Sequence, residues 1–178
     1  MMFEKFTHDA RRAVVEAQAA AQEAGAREIS AQAVFAGLAR VESGEAVRLL
    51  QALGVSREDV FAELARVRRR GGLSDADAEA LTEFGIDVDQ IVERIEQTHG
   101  PGALAQASRP TKRNHLPFTE DAKNALQMSV REAQELGDKH LGQEHLLLAL
   151  VKQRGPVADF LAARGVDYPA VRQAVGKR

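Results

Sequence analysis

Apolar and polar positions alternate in the same order along two stretches of the chain. Residues 6–38, "FTHDARRAVVEAQAAAQEAGAREISAQAVFAGL", lie over residues 118–150, "FTEDAKNALQMSVREAQELGDKHLGQEHLLLAL", at a constant offset of 112. Phe6 falls on Phe118, Thr7 on Thr119, Ala10 on Ala122, Gly25 on Gly137, Ile29 on Leu141 and Leu38 on Leu150. After a one-residue deletion, "LLQALGVSREDV" (49–60) lies over "FLAARGVDYPAV" (160–171). A match of this length in one register marks an internal repeat, and each copy reads as four helices.

The first helix of each copy starts at an N-cap threonine, Thr7 or Thr119, whose hydroxyl suits the unpaired N–H groups of a first turn. Ala10, Val14, Ala17 and Ala21 recur at helical spacing in one copy, and Ala122, Leu126, Val130 and Ala133 in the other. Gly25 and Gly137 stand where a left-handed cap would end the helix. A second helix carries Val34, Phe35 and Leu38, or Leu146, Leu147 and Leu150. A short third carries Val47 and Leu50, or Val157 and Leu161 behind Pro156. The fourth follows Ser56 of a capping-box-like "SRED", or Pro169. None is long or apolar enough to stand alone, so the copies are expected to pack together. These features divide the chain into a first repeat (1–71), an insert with linker (72–114) and a second repeat (115–178).

In the insert, "SDADAEALTEFG" reads as a short capped helix. "DVDQIVERIEQTHG" sets Val88, Ile91, Val92 and Ile95 on one face of another. The following "GPGALAQASRPTKRN" has no periodicity and reads as a linker, so the insert is expected to dock one helix and leave a tail.

Composition narrows the classes. Residues of 44% hydrophobic and 28% charged character, with 4% aromatic and no Trp, describe a helical globular protein whose core is Ala, Leu and Val. An all-α fold follows. A formal charge of −2 gives no general pull toward nucleic acid or an anionic membrane. The absence of cysteine excludes disulfide and thiolate chemistry. With no apolar run of about 20 residues and no signal-like start, a cytoplasmic location is expected.

Two constellations carry candidate chemistry. Thr7 with Arg11, and Thr119 with Lys123, each set a cation one turn behind a helix N-terminus, an arrangement suited to phosphate or carboxylate but also to an ordinary cap. Glu144 stands in the first turn of a greasy helix, where it favours the dipole and could also pair a guanidinium; Gln32 holds its place in the first copy. His145 suits a capping or packing role. The spacing His140–Glu144–His145 is not a zinc-protease motif, and no nucleophile elbow or phosphate loop occurs, so neither metal, cofactor nor enzymatic activity is expected. The runs "RVRRR" (66–70) and "RPTKR" (109–113), with turns resembling helix-turn-helix units, keep a DNA-binding regulator as the alternative. Negative net charge, an acidic insert and the lack of interleaved aromatics argue against it, and leave the basic runs as solvated helix ends.

"FTHDARRA", "FTEDAKNA" and "GQEHLLLAL", with "SAQAVFAGL" in outline, resemble the amino-terminal domain of Clp/Hsp100 unfoldases, nearest the ClpC type, over nearly everything but the insert. The resemblance implies a pseudo-twofold pair of four-helix repeats, non-catalytic, standing here without the ATPase rings. It implies binding of Clp protease or unfoldase components or their substrates, including phosphoarginine-marked proteins, as adaptor, decoy or sequestering protein. Carried onto this sequence, one site is Thr119, Lys123 and Glu144. A degraded one is Thr7, Arg11 and Gln32, because Gln32 brings no charge to a guanidinium. The resemblance also implies binding of cyclic-peptide antibiotics such as cyclomarin at an apolar surface formed by Phe3, Phe6 and Phe118 with Lys123. A docking scaffold with both pockets inert is the remaining reading.

Overall fold

Threonine caps open the first helix of each repeat: the Thr7 hydroxyl accepts from the Ala10 N–H at 3.1 Å and that of Thr119 from Ala122 at 3.3 Å. The computed structural model describes residues 2–105 and 114–177. After a short 3-10 helix (Met2–Lys5), repeat 1 comprises α1 (His8–Glu23), α2 (Ala31–Arg40), α3 (Glu45–Ala52) and α4 (Arg57–Arg69). The insert forms α5 (Asp75–Glu83) and α6 (Val88–His99). Repeat 2 forms α7 (Glu120–Glu135), α8 (Gln143–Lys152), α9 (Pro156–Ala163) and α10 (Tyr168–Gly176). The fold is all-α; the described residues contain two isolated parallel bridges and no strand.

Local signals account for most boundaries. Gly25 and Gly137 adopt φ of 70° and 73°, and Ala26 and Asp138 send their N–H back to Ala21 and Ala133 to close α1 and α7. Ser56 and Asp59 form the capping box of α4. The fourth helix of repeat 2 is capped earlier than Pro169 suggests: the Asp167 side chain accepts from Ala170 N–H at 2.9 Å, and the proline sits inside the first turn.

The second helices are the centre of the molecule. α8 buries every residue from Gln143 to Val151, and α2 buries Val34, Phe35, Leu38 and their neighbours. Around them α1 and α7 present alanine faces, in which Val14 and Val130 lie only partly buried at the margin while Ala13 and Ala125 lie inside. At Gly37 the helices meet without room for a side chain. A Cβ there would lie 2.1 Å from the Ala13 carbonyl oxygen and 2.7 Å from the Ala17 nitrogen. The corresponding residue of α8 is Ala149, fully buried.

Two backbone exchanges lock the repeats together. Thr7 N–H donates to Leu141 O and Leu141 N–H to Lys5 O, each at 2.8 Å. Thr119 N–H donates to Ile29 O at 3.0 Å and Ile29 N–H to Pro117 O at 2.8 Å. The residue before each first helix therefore pairs with the residue before the other repeat's second helix, Phe6 with Leu141 and Phe118 with Ile29.

Both insert helices engage the bundle. Val88 and Val92 of α6 are buried. Arg66, Arg68 and Arg69 of the "RVRRR" run are exposed as expected, but the run is also paired: Arg66 bonds Glu63 and Asp75, Arg69 bonds Glu96 at 2.7 Å, and Arg70 bonds Asp75 at 2.5 Å and Asp89 at 3.2 Å. Insert carboxylates thus offset the charge of Arg66, Arg69 and Arg70 at the basic end of α4. The second basic run and the predicted tail fall largely in 106–113, outside the described residues.

Candidate functional site

The backbone exchange decides which groups share a site. Because the Phe6–Thr7 start runs beside Leu141, the N-terminus of α1 abuts the N-terminus of α8. A cavity of about 460 Å³ opens there, lined by Thr7, His8, Asp9, Glu45, Arg48, Gly142, Gln143 and Glu144. The structure thus brings Glu144 to Thr7, across the repeats. It does not bring Glu144 to Thr119 and Lys123. Thr119 lies instead beside Ile29, to whose carbonyl its hydroxyl donates at 3.4 Å. Lys123 is exposed and bonds Glu120 at 3.1 Å. Arg11 donates to the Glu4 carbonyl at 3.4 Å and does not line the cavity.

Each side chain at the junction has a local cause. Gly142 caps α8 with its N–H donated to His145 Nδ1 at 2.8 Å, while Nε2 of the same ring meets Asp138 at 2.8 Å. An N–H donor at Nδ1 fixes the tautomer: the proton is on Nε2 and goes to the carboxylate. His145, 1% exposed, is a structural pin. Asp138, Glu144 and His145 place ligand-type atoms within 4.8 Å of one another, but both ring nitrogens are spent on these bonds.

Gln143, also 1% exposed, ties three elements together. Its Oε1 accepts from Ala46 N–H of α3 at 3.2 Å and its Nε2 donates to the Asp9 carbonyl of α1 at 2.9 Å. Gly44 makes room for it, since a Cβ there would lie 2.2 Å from Oε1.

Glu144 is 7% exposed and lies folded over Gly142, where a Cβ would come within 2.4 Å of its carboxylate. Arg48 faces it across the cavity. The hydrogen bond donated to Glu45 (Arg48 Nε to Oε2, 2.9 Å), then the Glu45 charge and more weakly that of Glu144, raise the Arg48 pKa above its ordinary value. Carboxylate, guanidinium and the open end of α1 thus converge on one space, able to hold a ligand with a cationic and an anionic group side by side.

The pseudo-equivalent junction is nearly closed. Toward α7 and α9, Gln32 shares a space of only about 20 Å³ with Ala31, Asp121, Gln153 and the start of α9; on its other side it lines, with Ser30, a groove of about 540 Å³ within repeat 1. Ser30 stands where repeat 2 has Gly142, its hydroxyl capping Ala33 at 3.2 Å. Its side chain occupies the room that the Glu144 carboxylate uses at the other junction.

Of the proposed apolar surface, Phe6 is 4% exposed and belongs to the core, because its bridge to Leu141 turns it inward. Phe118 is half-buried against that core, and the Phe3 side chain lies outside the described residues. Sequence reasoning missed Gln143 as a clamp and Arg48 as the cation at the cavity. Gly44 is the one trace of Gln143, visible once it is known to face that side chain, as Gly142 faces Glu144.

These features define a helical domain of two interlocked repeats whose two junctions differ. The chain belongs to the Clp repeat (R) N-terminal domain family, which it matches over residues 5–71, 73–164 and 117–177. It is 29% identical over 175 residues to the chloroplastic chaperone protein ClpC1 of Oryza sativa subsp. japonica, covering 98% of this chain and 15% of that protein. A ClpA-homologous ATP-binding subunit of the Clp protease from Guillardia theta is 30% identical over the same length, which is 17% of it. The chain therefore spans about a sixth of the length of these relatives. Its fold matches the N-terminal domain of the Clp chaperone ClpD from Arabidopsis thaliana with TM-score 0.56 at 19% identity, covering 99% and 98% of the two chains. A structure from a malarial protein secretion system matches with TM-score 0.64 at 13% identity, covering 97% and 93%. Among the described residues no helix is long and apolar enough to cross a membrane.

Proposed function

We propose that this chain is a non-catalytic protein-binding module of the Clp system, and that its ligand is an arginine-bearing, phosphoarginine-like group held at the junction of α1 and α8. The observation that carries this reading is the meeting of Glu144 and Arg48 on one 460 Å³ cavity at a helix N-terminus. Glu144 takes the guanidinium side as a paired carboxylate. Arg48, the Thr7 hydroxyl and the first-turn N–H groups of α1 take the phosphate. The site is thus Thr7, Arg48 and Glu144, and the opposite junction, with Gln32, Thr119 and Lys123, is the degraded one. Cyclic-peptide antibiotics have Phe118 and Lys123 left to contact, since Phe6 lies in the core. DNA binding is disfavoured by the engagement of Arg66, Arg69 and Arg70 with the insert.

Calorimetric titration with a phosphoarginine peptide tests the proposal. One site is expected, weakened about two- to thirtyfold in Glu144→Gln, since a charged hydrogen bond is worth roughly 1.5–3 kcal/mol and a neutral one about 1. Gln32→Glu alone is expected to add no second site, because Ser30 blocks the carboxylate's place; Ser30→Gly with Gln32→Glu removes that block. Wild type that binds neither this peptide nor its unphosphorylated form would leave an inert scaffold as the better reading.

A further inference from the structure

A second cavity lies outside this junction, on repeat 2 between the end of α7, the loop before α8 and the residue before Phe6. It measures about 590 Å³ and is lined by Lys5, Arg131, Lys139 and His140 around apolar walls that include Val130 and Leu141. Its one acidic lining residue, Asp138, is already bonded to His145. Among the described residues the Lys5, Arg131 and Lys139 side chains enter no hydrogen bond or ion pair, and all three are exposed. In a protein of net charge −2 this is a local excess of positive charge facing an apolar floor. The opposite side lacks this cluster, for Pro117, Ala19 and Glu28 stand at the positions matching Lys5, Arg131 and His140, and only Arg27 keeps the charge of Lys139.

The same chain carries the complementary feature. At the α5–α6 turn, residues 82–87 are exposed without interruption. Phe84 is 82% and Ile86 39% exposed, with Ile91 47% exposed one turn into α6. Glu83 and Asp87 flank them. α5 itself buries no residue, and the insert is held by Asp75, Asp89 and Glu96 on the α4 arginines while residues 82–87 between its helices stay exposed. An aromatic side chain this exposed, framed by carboxylates, marks an interaction surface.

We propose that the cationic cavity of repeat 2 is the docking site for the acid-flanked α5–α6 tip of a second copy of this chain. Phe84 enters between Val130 and Leu141, while Glu83 and Asp87 meet Arg131, Lys139 and Lys5. Each copy carries both halves, so reciprocal docking is self-complementary and closes as a twofold dimer. One contact covers two otherwise unpartnered features, and its charge component is sensitive to salt.

Sedimentation velocity of the full chain across a concentration series, at about 0.1 M and about 1 M salt, is the test; the Debye length falls from about 10 Å to about 3 Å between them. Self-association is expected at the lower salt and should weaken at the higher. Phe84→Ala and Glu83→Lys should each weaken it at least tenfold. Arg131→Glu should do the same, and combining Glu83→Lys with Arg131→Glu should restore it, with circular dichroism unchanged throughout. A monomer at every concentration at low salt overturns the proposal, even if an added polyglutamate peptide binds at Arg131, since the occupant is then another acidic partner. Association that survives both Phe84→Ala and Arg131→Glu overturns it as well.

Discussion

Repeat 1 and repeat 2 share one backbone plan and differ in what fills the space between the first, second and fourth helices. In repeat 2 the space is closed by large and polar groups. Glu132, 1% exposed, takes Lys152 Nζ at 3.1 Å and the Tyr168 hydroxyl at 2.6 Å, while His145 and Leu148 complete the wall. Repeat 1 has Ala20, Ala33 and Ala36 at the positions of Glu132, His145 and Leu148, and there a groove of about 540 Å³ lies open. Arg40, matching Lys152, finds no buried carboxylate and turns to Glu23 at the rim, which lowers the Glu23 pKa. The comparison teaches that this fold tolerates loss of its inner filling on one side. Repeat 1 compensates by drawing α1 onto α2 through Gly37, a contact that Ala149 denies to repeat 2.

The largest effect should come from opening the closed side. Leu148→Ala removes a fully buried side chain and is expected to cost about 3 kcal/mol, read as a lower denaturant midpoint with unchanged slope. The reverse change, Ala36→Leu, fills the open groove and should stabilise by about 1 kcal/mol in the same assay. A result in which both destabilise equally would mean that the groove is not space in solution.

Next in size is Gly37→Ala. The added methyl meets backbone atoms of α1, which cannot rotate away, so the two helices must part at a cost of about 2 kcal/mol. Ala149→Gly, at the matching position, loses only helix propensity and a methyl contact, about 1 kcal/mol. Equal losses at the two positions would show that the repeats pack alike.

Smallest is a titration. Burial, then the hydrogen bond to Glu132 and then its charge, push the Tyr168 phenol up to about 12 from its ordinary 10. Tyr168 is the only tyrosine and Trp is absent, so absorbance reports this group alone. Between those pH values the folded state keeps a proton that the unfolded state has lost. The contribution is therefore complete below pH 10 and lost as pH rises toward 12. Glu132→Ala should bring the midpoint back toward 10. Repeat 1 has Arg57 at the matching position and no such titration.

Much of the architecture is legible in the sequence. The helices and their caps follow from threonine, serine, glycine and proline at positions whose effect reaches only three or four residues. The doubled pattern makes each repeat a check on the other. Glu144 and Gln32 were legible as an unequal pair for the same reason, being neighbours of recognisable motifs. The groups around them were not. Thr119 and Lys123 belong to Glu144's own repeat, yet the structure delivers Thr7, Arg48 and Asp9 to it. Phe6 has the pattern of an exposed helix start and is buried by a backbone bridge to a residue 135 positions away. The "RVRRR" run has the look of a solvated end and stays exposed, yet it is paired with insert carboxylates that only folding brings to it.

The sequence by itself therefore determined the all-helical class, the number of repeats, the helix ends and the inequality of the two junctions, since periodicity and capping are local properties of the chain. Tertiary structure alone decided which threonine faces Glu144, which cation joins it, and which of two matching grooves stays open. Those outcomes rest on hydrogen bonds exchanged between repeats and on the fit of side chains remote in sequence, as between Gln143 and Gly44 or Gly37 and Ala13. No pattern within one repeat encodes such pairings, because the same local signals fit either partner.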